Sequence, residues 1–97
     1  MPSQIILLLK GHPGSGKSTL GRAISRCLKW PLIDKDDAKD ILNAALAGAD
    51  INEISYRIMF AVGRTQLECG ASVIFDCPFA RAELYMRAVQ LAQVGLM

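Results

Sequence analysis

Long apolar runs are missing from this sequence of 97 residues, and so is any strong imbalance of charge. The stretch Ile5-Ile6-Leu7-Leu8-Leu9 is five residues long, too short for a membrane span or an export signal. No basic region precedes it in Met1-Pro2-Ser3-Gln4. A formal net charge of +2 gives no argument for a nucleic-acid or membrane partner. Cysteine is scarce: Cys27, Cys69 and Cys77 are odd in number and lack metal-ligand spacing. They read as small buried thiols in a reducing compartment, cytoplasmic or organelle stroma. Repeats and low-complexity segments are absent too. What remains is one globular domain, residues 1–97, whose 52% apolar content is enough for a modest core.

The apolar residues are punctuated regularly. Residues 4–9 predict a strand buried on both faces of a parallel sheet. Leu20, Ala23, Ile24, Cys27 and Leu28 form one stripe of a helix. Pro31-Leu32-Ile33 is a short second strand. Ala38, Ile41, Leu42, Ala45 and Leu46 make another helical stripe, closed by Gly48. Asp50, with Glu53 three residues on, resembles a capping box. It opens a long helix with Ile54, Ile58, Ala61, Val62 and Thr65 on one face, ended by Gly70. Ser72 to Asp76 is a third strand, broken by Pro78, and residues 83–93 form a last helix. Alternating strands and helices predict an α/β domain with a parallel sheet.

Between the first strand and the first helix stands GHPGSGKST. Gly11-x4-Gly16-Lys17-Ser18 fits the Walker A pattern without a mismatch. Glycines let the backbone turn sharply and approach phosphates, so that successive N–H groups point into one concavity. The positive end of the following helix adds to this. Gly11, His12, Pro13, Gly14, Ser15, Gly16, Lys17, Ser18 and Thr19 are therefore the candidate nucleotide contacts. Lys17 would bridge the outer phosphates, and Ser18 would give its hydroxyl oxygen to Mg²⁺. His12 could reach a phosphate or stand as a solvated filler.

Acidic residues close the second and third strands. Asp34, Asp36 and Asp37 follow Ile33, where a carboxylate faces the crevice beyond the strand ends. Asp36 is the preferred base for an acceptor hydroxyl, Asp34 the second. Asp37 suits an N-cap or first helical turn. Val73-Ile74-Phe75-Asp76 has a Walker B-like form; beside the first strand, Asp76 would meet Ser18 and the metal. Arg81 could contact phosphate or lie on the surface. Arg57 and Arg64, seven apart, share a helix face that is solvated or reaches an acceptor's acid. Trp30 packs the loop into the second strand, and Tyr56 with Phe60 reads as core.

LKGHPGSGKSTLGRAISRCLKWPLIDKDDAKDIL, together with VIFDCPFAR, resembles the P-loop small-molecule kinases grouped as an AAA-type kinase-like domain. That group, within the P-loop NTPase superfamily, shares features with zeta-toxin, polynucleotide, shikimate and gluconate kinases. KWPLIDKDD looks most like plant P-loop proteins. The resemblance runs from Gln4 to about Leu91. It implies a three-layer α/β/α fold with strand order 2-3-1 and phosphoryl transfer from ATP, with Mg²⁺, to a small-molecule hydroxyl. It sets Asp36 at the acceptor-binding or catalytic carboxylate and Asp76 at the Walker B acid. Lys39 falls where many members have Arg. Members continue into two further strands and a lid, so a shortened form is expected, with the first strand left as an apolar edge. A nucleotide-binding module without transfer is the alternative. A GTPase switch is disfavoured, because Asp76-Cys77-Pro78-Phe79 holds no glycine and no NKxD occurs.

Overall fold

Three short apolar segments become strands: β1 (Ile6–Leu9), β2 (Leu32–Asp34) and β3 (Val73–Asp76). Four helices connect and follow them: α1 (Lys17–Leu28), α2 (Lys35–Ala45), α3 (Ile51–Glu68) and α4 (Ala82–Gly95). This is a computed structural model, which describes residues 4–9, 16–46, 50–77 and 82–95. Both strand pairs are parallel and the order is β1-β3-β2, the 2-3-1 arrangement that the family resemblance implies. Gln4 and Ile5 precede β1 instead of belonging to it. The Gln4 amide donates to the carbonyls of Leu67 and Ala71, and the Ile5 N–H donates to Ser72 Oγ.

Strand alternation shows how the helices are layered. Gly21 of α1 lies against Leu9 and Leu32, whereas Gly63 of α3 lies against Phe75 and Ile33. Leu32 and Ile33 are consecutive, so they point to opposite faces of the sheet. α1 therefore covers one face and α3 the other. The main core fills the α3 side, where Tyr56, Met59, Leu67, Val73, Phe75 and Leu84 are almost wholly buried. Phe60 meets Phe75 edge to face at 5.3 Å between ring centroids. Asp50 caps α3 by accepting from the Glu53 N–H, and Gly70 (φ 92°) follows the helix end. Among the described residues no helix is long and apolar enough to cross a membrane.

Several packing expectations are corrected. The stripe Leu20, Ala23, Cys27, Leu28 on α1 is exposed, and Gly21 is the residue that turns inward. Ile41 on α2 and Leu46 just past its end are exposed. On α3, Ile58, Ala61, Val62 and Thr65 face outward, while Ser55, Tyr56, Met59, Gly63 and Leu67 are buried. The physical reason is common to α1 and α3: each comes closest to the sheet at a glycine, which contributes nothing to an apolar periodicity. β1 is only half-buried apart from Leu9, not sealed on both faces. Cys27 and Cys69 are exposed; only Cys77 is a buried thiol. Gly48 and Pro78 lie outside the described residues.

A Cβ added at Gly63 would overlap the ring of Phe75, which is wholly buried and has nowhere to go. Overpacking of this kind costs about 1–3 kcal/mol. Gly63→Ala should lower unfolding stability by that amount in urea titrations; a variant as stable as the parent would show that the α3–β3 contact yields to an added methyl group.

Candidate functional site

The carboxyl ends of the strands carry the charged residues. Register sets Leu9, Asp76 and Asp34 in one row, β1 to β3 to β2. Residues in one row of a parallel sheet point the same way, and Leu9 faces α1. Asp76 and Asp34 therefore open toward the first turn of α1. Gly16, with φ 84°, starts that helix in a left-handed conformation that a side chain rarely adopts. The sharp entry delivers Lys17 and Ser18 onto the end of β3.

Asp76 receives both. Lys17 Nζ stands 2.9 Å from its Oδ1, and Ser18 Oγ donates to its Oδ2 at 2.8 Å. The carboxylate is 2% exposed and the lysine side chain 11%. A buried carboxylate costs several kcal/mol in lost hydration unless a cation and hydrogen bonds replace the water. Here each oxygen has one such partner.

Asp34 is half-buried at the end of β2. Its Oδ1 accepts from the Asp36 N–H at 2.9 Å, so Asp34, not Asp37, is the N-cap of α2. Burial raises its pKa above the ordinary value of 3.8. The bond from Asp36 pulls the other way, and the charges of Asp76, Asp36 and Asp37 push up again. Asp36 lies in the first turn of α2 with its side chain 61% exposed, 3.4 Å from Lys35 Nζ. Asp37 is exposed in the same turn.

Lys35 is the residue that sequence reasoning passed over. It is 5% exposed. Its Nζ donates to Asn52 Oδ1 at 3.1 Å and sits 5.0 Å from the centre of the Tyr56 ring. It thus links the start of α2 to the first turns of α3. A lysine between aspartates reads as solvated; only its place directly after a strand could have flagged it. Cys77 lies beside these groups. Burial pushes its thiol up to about 12, against the pull of Lys17 and Lys35, so it is a poor nucleophile.

The structure thus brings together Lys17, Ser18, Asp76 and Asp34, with Asp36 at the rim and Thr19 exposed on α1. Gly11, His12, Pro13, Gly14, Ser15 and Arg81 lie outside the described residues. Among the described residues no three His, Cys, Asp or Glu side chains cluster as a metal cage.

A parallel sheet with Lys17 and Ser18 opening the first helix against a strand-end aspartate defines the P-loop kinase-like class of α/β domains. The chain belongs to the AAA domain family, which matches residues 6–96. Shikimate kinase of Corynebacterium glutamicum is 39% identical over 49 residues, half of this chain and 29% of that protein. Shikimate kinase of Clostridium botulinum is 50% identical over 48 residues, again half of this chain and 26% of that protein. The chain therefore spans under a third of the length of these relatives. A crystal structure of a candidate kinase from Chloroflexus aurantiacus superposes on the whole chain with a TM-score of 0.86 at 24% identity, the chain spanning 57% of its length. The Mycobacterium tuberculosis APS kinase CysC, in complex with AMPPNP and APS, superposes on 98% of the chain with a TM-score of 0.75 at 23% identity, across 58% of its own length. At such identity the likeness to both structures is one of fold.

The raised pKa of Asp34 has a definite sign in stability. The folded state favours the protonated form, so stability falls as pH rises from about 3.8 through the folded pKa. Asp34→Asn keeps an oxygen to cap α2 but removes the charge facing Asp76. Its melting temperature relative to the parent should become more favourable between about pH 3 and about pH 7. A difference that stays flat or moves the other way would show that Asp34 is relaxed as an anion.

Proposed function

We propose that this chain binds ATP with Mg²⁺ and forms the phosphate-holding part of a kinase that phosphorylates a hydroxyl of a small molecule. The carrying observation is the convergence of Lys17 and Ser18 on the one buried carboxylate of Asp76. Membership of the AAA domain family and the kinase relatives support the same reading.

Each residue has a task in this reading. Lys17 exchanges Asp76 for phosphate oxygens when nucleotide arrives, trading one anion for another without leaving its buried position. Ser18 Oγ and Asp76 Oδ2 are hard oxygen donors 2.8 Å apart. Hard oxygen donors of this kind suit Mg²⁺, so Ser18 and Asp76 are the residues that would hold it. The metal, when bound, neutralises charge on the transferring phosphoryl group. Asp36, at the open rim, accepts the proton of the acceptor hydroxyl; Asp34, one rung behind, is the second candidate. The glycine-rich segment from Gly11 to Gly16 supplies backbone N–H groups to the phosphates, and Arg81 adds a guanidinium near the entrance to α4.

Calorimetry should show ATP binding that Mg²⁺ strengthens and Lys17→Ala abolishes or weakens at least tenfold. Asp36→Asn should keep ATP binding and lose phosphoryl transfer by about 10²–10⁴-fold, measured in the longest chain that carries this domain. Parallel loss of binding and transfer in Asp36→Asn would remove Asp36 as the base. ATP binding with no transfer by either parent chain would replace the kinase reading with that of a nucleotide-binding module.

A further inference from the structure

The outward face of α3 is apolar and basic at once. Ile54, Ile58 and Ala61 lie along it, with Arg57 and Arg64 between them. α4 runs alongside and adds Arg87, Gln90 and Leu91, and the two helices enclose an open groove of about 770 Å³. Phe60 and the nearly buried Leu91 form its floor. Ile58 is 39% exposed and its neighbour Val62 44%. These are the residues that the helical periodicity assigns to the core, so an apolar stripe of core character is left facing outward.

An ion-pair bridge joins the two helices at the edge of the groove. Arg87 bridges Glu53 on α3 at 2.6 Å and Glu83 on α4 at 2.8 Å, strapping the helices together at one end. Arg57 makes no ion pair among the described residues. Arg64 pairs only with Glu68, a solvent-exposed contact four residues on in the same helix, weak and readily exchanged. Arg87 is taken up by Glu53 and Glu83, so Arg57 and Arg64 are the lining cations that face a partner. Arg57 and Arg64 are two helical turns apart, about 10.5 Å along the axis. An α-helix with carboxylates at i and i+7 repeats that spacing, with apolar residues at i+3 and i+4 facing the floor.

We propose that the α3–α4 groove docks an acidic amphipathic helix of a partner protein, with Arg57 and Arg64 reading its carboxylates and Ile54, Ile58 and Leu91 taking its apolar side. A second copy of this chain is a poor occupant, because two such grooves meeting face to face oppose arginine with arginine. A bilayer surface is a poor one too, because the apolar floor lies in a concavity. The docking uses no residue of the phosphate site and stands whether or not the kinase reading does.

The test uses the 97-residue chain and a fluorescein-labelled helical peptide of about 14 residues, with leucines on one face and glutamates seven apart. Fluorescence anisotropy should show saturable binding that weakens as salt rises from about 0.05 to about 0.3 M. Arg57→Glu with Arg64→Glu should weaken it at least tenfold at unchanged circular dichroism. The lysine version of the peptide should fail on the parent chain and bind the doubly reversed variant. Four results would overturn the proposal: equal binding of acidic and basic peptides, undiminished binding by the double variant, capture of phosphatidylserine vesicles in place of the peptide, or dimers in sedimentation that compete with the peptide and vanish in Ile58→Asp.

Discussion

Burying a carboxylate at the end of a central strand is the constraint on which the rest of this molecule turns. Asp76 has almost no contact with solvent, and the strand that carries it is flanked on both sides. Its charge needs a partner, and among the described residues the side chains that meet it come from the first turn of α1. Lys17 and Ser18 are thus fixed by electrostatic necessity as well as by the turn at Gly16. The same demand explains the approach of α1: with Lys17 and Ser18 seated on β3, the next inward position is Gly21, against Leu9 and Leu32.

The two sides of the sheet are unequal. On one side α3 and α4 build a continuous core around Phe75 and Met59. On the other, α1 touches the sheet through a glycine and a charged pair, with its leucines outward. Stability therefore rests chiefly on the α3 side, while Lys17, Ser18 and Asp76 meet on the thinner one. A helix held by an ion pair and a hydrogen bond is easier to adjust than one held by interdigitated apolar side chains.

Much of this was legible in the sequence, for reasons that differ between elements. The strands show because their apolar runs end in Asp34 and Asp76. The helix starts show because Asp50 and the glycine-rich segment leave capping and turn signals. The trio Lys17, Ser18 and Asp76 was expected from a motif and a strand end, and the β1–β3 pairing brings it together. Three features were not legible. The inward faces of α1 and α3 are centred on glycines, which an apolar count passes over. Asp34 caps α2 in place of Asp37, a shift within one acidic run that only backbone geometry decides. Lys35 is buried because Asn52 and Tyr56, in a different helix, are there to receive it. The first and the last of these depend on contacts between different elements of the chain, whereas the Asp34 cap is a bond between residues two apart.

Distance along the chain has a consequence in time. The hydrogen bond from Ser18 to Asp76 joins residues 58 apart. Both parallel strand pairs need complete helical crossovers before they can close, and such non-local pairings form late and slowly. The Lys17–Ser18–Asp76 cluster is therefore not a local motif awaiting a fold: it exists only where β3 has paired and α1 has docked, so its formation reports on completion of the sheet itself.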